Sequence, residues 1–163
     1  DKYRHFKFHK DLDGKVFQLG ASTNKIYPEE VFTRIPGDQT LYIVEGEKDV
    51  VTMLSNGLNA ICFTAGSGSI PEDISKLRDF KTINIVYDND EAGREGSIKL
   101  ARAVVDQDRD VKLNVYTFNE GFPEGFDITD YFKGGGTKED FEDLVRSGRI
   151  FGEKPSDFGG FDY

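Results

Sequence analysis

The sequence contains no tryptophan and only one methionine, one cysteine and two histidines among its 163 residues. A single cysteine, Cys62, excludes an internal disulfide and a cysteine-based zinc site within this chain. Because Cys62 lies in an apolar run, we expect a buried, reduced thiol and therefore a cytoplasmic protein. No apolar stretch approaches the ~18 to 20 residues that a membrane span requires, so we expect no membrane association.

Two common phosphate-binding signatures are also missing. The first predicted strand is not followed by Gly-x-Gly-x-x-Gly, and the chain has no Gly-x-x-x-x-Gly-Lys-Ser/Thr loop. Ordinary dinucleotide or ATP binding therefore has little support. The chain begins with Asp1 rather than methionine, which leads us to expect a piece of a longer protein.

Acidic residues outnumber basic ones, 30 to 21, which gives a net charge of −9. Only residues 1–36 carry more lysine and arginine than aspartate and glutamate. A domain that holds nucleic acid by neutralising phosphates is expected to be basic, so this chain alone is predicted to bind nucleic acid poorly. The excess acid either binds divalent metal or forms a solvated surface, and the composition leaves both interpretations open.

The chain divides into three regions. Residues 1–36 alternate as short strands around a turn signal at Asp13-Gly14, which predicts a small β-rich N-terminal element. Residues 37–150 alternate strands with helices, the pattern of a parallel α/β core with right-handed crossovers. Residues 151–163 are rich in Gly, Asp and Phe without any period and are predicted to form a flexible tail.

The core region contains four apolar runs that predict buried strands, at residues 41–44, 60–64, 83–87 and 111–118. Helical spacing follows the first run until Asn56-Gly57, and again follows the third run through residues 98–105. We therefore predict a parallel sheet of about four strands flanked by helices.

Acidic side chains follow these strands at the edge where α/β proteins bind ligands. Glu45 and Asp49 follow the first strand, Asp88 and Asp90 the third, and Asp127 comes after the fourth. If the first and third strands are neighbours, Glu45 and Asp88 project into one crevice. Hard oxygen ligands without nearby His or Cys are typical of Mg²⁺ or Mn²⁺ sites that also take substrate phosphate. The pattern therefore favours metal-dependent phosphoryl chemistry.

Three stretches carry a resemblance to a known family: residues 42–49 (YIVEGEKD), residues 57–66, and residues 87–94 (YDNDEAGR). Together they make residues 38–135 similar to the Toprim domain shared by topoisomerases, bacterial-type primases and several nucleases. The Glu-Gly-x-x-Asp and Asp-x-Asp-x-Ala-Gly details look most like the primase branch, including the primase-helicases of phages and mobile elements. The implied fold is a Toprim-like parallel sheet.

The resemblance also implies roles for the acids. The residue matching Glu45 acts in that family as a general acid/base or beside the metal, and those matching Asp49, Asp88 and Asp90 bind magnesium. Asp127 matches the first member of a further Asp-x-Asp pair that primases place after the fourth strand. Here the chain departs from the pattern, because Thr129 occupies the second acid's place and Asp130 comes one residue later.

Several residues are candidates for contacting phosphate. Gly66 and Ser67 lie in a run of small residues whose backbone N–H groups can form an anion nest, although a plain turn fits equally well. Lys48 and Arg94 either contact phosphate or form ordinary surface ion pairs. Residues 1–36 weakly resemble the module that precedes the Toprim core in primase-like proteins and helps hold nucleotide and template, which adds Lys25 to the candidates.

The function implied by the resemblance is Mg²⁺- or Mn²⁺-dependent nucleotidyl transfer that makes RNA primers from nucleotides on a single-stranded DNA template. A helicase or other replication domain of a longer parent protein is a candidate partner. Two alternatives stay open: a Toprim nuclease that uses the same acids to activate water, and a non-catalytic DNA-binding Toprim module. The presence of Glu45, Asp88 and Asp90 together favours an enzyme over the binding module.

Overall fold

The computed structural model describes residues 7–10, 16–19, 24–108, 110–119 and 121–154. Strands β1 (Lys7–Lys10) and β2 (Val16–Leu19) pair antiparallel, in agreement with the predicted N-terminal strands. The predicted turn at Asp13-Gly14 and residues 155–163 of the predicted tail lie outside the described residues.

A six-stranded sheet forms the centre of the molecule. Its strands are β3 (Ile26–Tyr27), β4 (Thr40–Val44), β5 (Ala60–Phe63), β6 (Thr82–Tyr87), β7 (Lys112–Thr117) and β8 (Arg149–Phe151). They lie side by side in the order β3-β5-β4-β6-β7-β8. The middle four are parallel, which confirms the four predicted strands.

The two outer strands extend the sheet beyond the sequence prediction. Strand β3 pairs antiparallel with β5, and β8 pairs antiparallel with β7. Part of the predicted N-terminal element, residues 26–27, therefore belongs to the central sheet. Strand β8 ends at Phe151, one residue beyond the predicted end of the core.

Five helices and a short 3-10 helix (Ser75–Asp79) surround the sheet in the described part of the chain. The α-helices are α1 (Val31–Arg34), α2 (Glu47–Ser55), α3 (Glu91–Gln107), α4 (Ile128–Lys133) and α5 (Lys138–Arg146). Helix α2 ends at the predicted Asn56-Gly57, where Gly57 adopts a φ of 73°. Helices α4 and α5 are additions to the prediction. No helix in the described ranges combines the length and the hydropathy needed to span a bilayer.

Hydrophobic residues cover both faces of the sheet. Along β4, Leu41 and Ile43 pack into the core on the side of α3, while Tyr42 and Val44 pack on the side of α2, α4 and α5. Burial on both faces explains why the four strands read as continuous apolar runs. Only some of the apolar residues of α2 belong to the core: Val50 and Met53 are buried, whereas Val51 and Leu54 are exposed.

The amino ends of the parallel strands are joined by backbone contacts. The N–H of Lys81 donates to the carbonyl of Gly37 (3.0 Å), and the N–H of Lys112 donates to the carbonyl of Lys81 (2.8 Å). A Cβ added at Gly37 would lie 1.9 Å from the carbonyl oxygen of Asp79. Glycine at this position is therefore required by space.

The connections change direction at the carboxyl ends of β4 and β6, and we call the space beyond these two ends the crevice. The chain passes from β4 to β5 on one side and then crosses to β6 on the other side of β4. In open α/β sheets, such a reversal is the usual place for a ligand site. The residues that follow β4 and β6 therefore form the candidate site.

Candidate active site

Glu45 and Asp88 lie next to each other because β4 and β6 are neighbours. The N–H of Asp88 donates to Oε2 of Glu45 (3.1 Å). Helix α3 begins so close to this pair that a Cβ at Gly93 would lie 2.3 Å from the carbonyl oxygen of Asp88 and 3.1 Å from Glu45 Oε2. The structure thus confirms that these two acids share one crevice, and it explains the glycine of the third motif.

Two further acids each begin a helix. Asp90 is the N-cap of α3, and its Oδ1 accepts from the N–H of Gly93 (2.6 Å). Asp127 is the N-cap of α4, where its Oδ1 accepts from the N–H of Asp130 (2.7 Å). The Asp130 carboxylate accepts in return from the N–H of Asp127 (3.3 Å), which completes a capping box. These carboxylates therefore also stabilise the helix ends that border the crevice.

Asp49 is buried in the first turn of α2 and is held by Thr129. Its Oδ1 accepts from the hydroxyl of Thr129 (2.7 Å) and from the Thr129 N–H (3.2 Å). The Thr129 hydroxyl also lies 3.1 Å from that of Thr52. At the position where the resemblance leads one to expect an acid, this chain therefore has a hydrogen-bond donor to another acid.

Lys48 points toward the same side of the crevice. Its Nζ lies 2.5 Å from Oδ2 of Asp127, and this contact raises the pKa of the lysine. Lys48 is a phosphate candidate from the sequence, and the structure places it in an ion pair with a candidate metal ligand. Its side chain is 62% exposed, whereas that of Asp127 is 10% exposed.

Burial and the proximity of other acids raise the pKa values of the carboxyl groups in the crevice. Burial raises the pKa of Asp88 to about 8, with further contributions from Glu45 and from the charges of three other acids: Asp49, Asp127 and Asp90. Burial also raises the pKa of Glu45, against the opposing effects of the Asp88 N–H and the Ser67 hydroxyl. The pKa of Asp49 is raised by burial as well, which the Thr129 hydroxyl partly offsets. These acids therefore act on one another as a single site.

The donor set fits a hard divalent cation, because it consists of carboxylate oxygens that repel one another in a half-buried crevice. Within the described ranges, no group of three or more Asp, Glu, His or Cys side chains already converges on one point as ligands. The reason is local: Asp90 and Asp127 cap helices, and Asp49 holds Thr129. The acids are close enough to influence one another, but their oxygens are held by these hydrogen bonds.

The loop after β5 forms another wall of the crevice. Gly66 has a φ of 85°, and Ser67 packs against α3 so tightly that a Cβ at Gly96 would lie 2.4 Å from the Ser67 carbonyl oxygen. Lys99 Nζ donates to the carbonyl of Gly68 (2.8 Å). The loop is thus attached to α3 while the Ser67 hydroxyl interacts with Glu45. Ser67 is therefore a further residue of the candidate site, together with the acids.

Two phosphate candidates lie elsewhere around the crevice. The Nη1 of Arg94 donates to Oδ1 of Asn89 (3.3 Å), and its Nη2 lies 3.7 Å from Oε1 of Glu124. Lys25 is exposed beside the carboxyl end of β5, where its backbone exchanges hydrogen bonds with Thr64. No contact within the described residues links the Lys25 side chain to the acids.

Asn89 is a residue that sequence reasoning missed. It lies between Asp88 and Asp90, is 6% exposed, and holds the loop that leads to Asp127. Its Nδ2 donates to the carbonyls of Phe122 (3.1 Å) and Pro123 (2.9 Å), and its backbone pairs with Phe126 and Gly125. The only sequence signal is its position between two acids, since its partners lie more than thirty residues away.

The geometry agrees with the comparison to protein families. Residues 39–115, just under half of the chain, match the family model of the Toprim domain. No curated protein sequence matches the chain significantly.

Primases are among the solved structures that resemble this chain. The chain is similar to the Escherichia coli primase catalytic core (22% identity, TM-score 0.62), covering 92% of this chain and 54% of that one. It is similar to a DnaG primase catalytic domain bound to single-stranded DNA (21% identity, TM-score 0.66), covering 87% of this chain and 46% of that one. It is also similar to the primase fragment of the bacteriophage T7 primase-helicase (17% identity, TM-score 0.54), covering 85% of this chain and 56% of that one. The chain has the primase-type Toprim fold and spans about half of the length of each of these structures.

Proposed function

We propose that this chain is the Toprim part of a primase-type nucleotidyltransferase, which makes RNA primers on single-stranded DNA with the help of Mg²⁺ or Mn²⁺. The observation that carries the proposal is the gathering of five carboxylates beyond β4 and β6, where the Asp88 N–H donates to Glu45 and where burial and the neighbouring acids raise the pKa of Asp88. Such a charge cluster in a water-accessible crevice favours binding a cation. A Toprim fold shared with primase cores supports nucleotidyl transfer as the reaction.

Asp88, Asp90, Asp49 and Asp127 are the candidate ligands for the metal, and among them the pKa of Asp88 is the one raised to about 8. When bound, a divalent metal neutralises phosphate charge and activates an attacking hydroxyl. Glu45 would hold or accept a proton near the reacting group; its half-buried position and raised pKa support this role.

The nucleotide phosphates are assigned to the groups that line the crevice. Arg94 borders it through Asn89, and the backbone of Gly66 and Ser67 forms the wall that touches α3. Lys25 and Lys48 are further cations near the rim. Because the chain is acidic overall, we propose that additional parts of a longer protein, among them a helicase partner or domain, strengthen template binding beyond what this chain provides.

Primer synthesis tests this proposal directly. The purified chain is incubated with single-stranded DNA, labelled ribonucleotides and Mg²⁺ or Mn²⁺, and the products are separated on a denaturing gel. The matched variants are Asp88→Asn and Asp143→Asn; the second removes an exposed aspartate that pairs with Arg146 on α5. We expect short labelled RNA from the wild type and from Asp143→Asn, and a loss of at least about 100-fold in Asp88→Asn.

The same gel separates the other functions. Shortened DNA that disappears in Asp88→Asn would replace the primase proposal with a Toprim nuclease. Metal-dependent DNA retention without any product, measured by a mobility shift of the same DNA, would indicate a binding module. RNA synthesis that survives in Asp88→Asn would remove Asp88 from the reaction.

A further inference from the structure

The two sides of the acid crevice differ in how their negative charge is compensated. On one side, Asp127 has both oxygens occupied, Oδ1 by the Asp130 N–H and Oδ2 by the Lys48 ammonium. Asp49, next to it, receives two hydrogen bonds on one oxygen from Thr129. A lysine and a threonine thus satisfy the two carboxylates that come from α2 and α4.

On the other side, the carboxylates have only uncharged partners. Glu45 accepts from the Asp88 N–H and interacts with the Ser67 hydroxyl, and Asp90 accepts one N–H as a helix cap. The ion pairs Lys48–Asp127, Lys76–Glu29, Arg94–Glu124 and Arg146–Asp143 do not involve Glu45, Asp88 or Asp90. Three carboxylates at the ends of β4 and β6 therefore lack a cation.

We infer that Lys48 acts as a built-in cation in this site, so that the chain binds one divalent ion, on the Glu45, Asp88 and Asp90 side, and not a second ion beside Asp49 and Asp127. The inference rests on the proposed metal-dependent function and narrows its ligand set: of the four candidate aspartates, Asp88 and Asp90 hold the ion, and Asp49 and Asp127 hold none. A second ion beside Asp127 would have to displace the ammonium group from 2.5 Å, and it would meet repulsion from the lysine at short range.

Thr129 adds to the difference between the two sides of the crevice. Its hydroxyl and N–H fix Asp49 Oδ1 in a buried position, and the hydroxyl also contacts Thr52. A hydroxyl supplies no negative charge, so this side holds three carboxylates, those of Asp49, Asp127 and Asp130, against one lysine. The charge that draws a cation is therefore greatest at the ends of β4 and β6.

Counting bound ions tests the inference without relying on activity. The metal-free chain is titrated with Mn²⁺, and free Mn²⁺ is measured by electron paramagnetic resonance. The variants are Lys48→Met and, as a matched control, Lys76→Met, which removes a lysine from another 2.5 Å ion pair, with Glu29. Lys48 is largely exposed, so Lys48→Met is expected to fold; circular dichroism checks this, and Lys48→Gln replaces it otherwise.

We expect one Mn²⁺ per chain for the wild type and for Lys76→Met, and two for Lys48→Met. Two ions on the wild type would overturn the inference while leaving metal-dependent function intact. One ion on a folded Lys48→Met variant would also overturn it, because the lysine would not be what excludes the second ion. No binding by any variant would remove both this inference and the metal-dependent function on which it rests.

Discussion

The two ends of the four parallel strands are built in different ways. At the amino ends, backbone groups bond to one another and Gly37 lies against the Asp79 carbonyl, without any participating charge. At the carboxyl ends, five carboxylates surround a crevice, and burial together with mutual repulsion raises the pKa of Asp88 to about 8. The amino end holds the sheet together, whereas the carboxyl end places charges where they oppose folding.

This difference shows how one sheet can carry both stability and a site. Buried like charges cost free energy of folding, and a protein tolerates that cost only if other contacts compensate for it. Here the compensation includes the helix caps at Asp90 and Asp127 and the closely packed opposite end of the sheet. The following experiments test the comparison, beginning with the largest expected effect.

Substitution at the amino end should destabilise the fold without changing the site. In Gly37→Ala, the new Cβ would meet the Asp79 carbonyl oxygen at 1.9 Å, so backbone must move. We expect a loss of about 3 kcal/mol in the free energy of unfolding, measured by urea denaturation.

The control for this experiment is Gly68→Ala, since a Cβ at Gly68 meets no atom within 4 Å. It should change stability by no more than about 0.5 kcal/mol. Mn²⁺ affinity of the folded Gly37→Ala chain should equal that of the wild type. A weaker affinity would show that the two ends are not independent.

Substitution at the carboxyl end should have the opposite effect, an increase in the free energy of unfolding. Asp88→Asn removes a carboxyl group that must take up a proton or bear the repulsion of its neighbours when the chain folds. Allowing for the partial exposure of Asp88, we expect the metal-free chain at pH 7 to gain on the order of 1 to 2 kcal/mol. Asp79→Asn, an exposed aspartate at the amino end, is the control and should be neutral. A destabilised Asp88→Asn variant would contradict the comparison.

The smallest effect is the change in stability over a single pH unit. The pKa of Asp88 is about 8 in the folded chain, whereas an unperturbed aspartate has a pKa of 3.8. Between these two pH values, the folded chain therefore binds more protons than the unfolded chain. Stability of the metal-free chain should therefore fall as pH rises from about 4 to about 8, by at most about 1.4 kcal/mol per unit from this group. Thermal melts in EDTA should show this slope. Saturating Mg²⁺ or the Asp88→Asn change should reduce it, and an unchanged slope in that variant would assign it to other groups.

The sequence was sufficient to predict the four parallel strands and the edge at which the acids gather. Long apolar runs identified β4, β5, β6 and β7 because these strands are buried on both faces. Strands β3 and β8 have two and three residues and lie at the sheet edges, where such short segments show no periodicity. Helix α5 did have a signal: Phe141, Leu144 and Val145 have helical spacing after a Thr137 cap.

The acids themselves were predictable by type and by position after strands, but their partners were not. Asp49 meets Thr129 across 80 residues of sequence, and Lys48 meets Asp127 across 79. Such contacts depend on how α2 and α4 pack, which no local pattern encodes. Their roles at the site remain predictions that the ion-binding and primer experiments test.

Gly93 and Gly96 make helix α3 sensitive to substitution on the side that faces the acid site. Glycine inside a helix costs up to about 1 kcal/mol relative to alanine, yet a methyl group at either position would collide with the Asp88 or the Ser67 backbone. A substitution there would shift the whole helix, with Asp90 at its start, and would not alter only one side chain. A change of size at these two positions therefore disturbs the acid site as directly as a change of charge, and the sequence of α3 is free to vary mainly on its outer face.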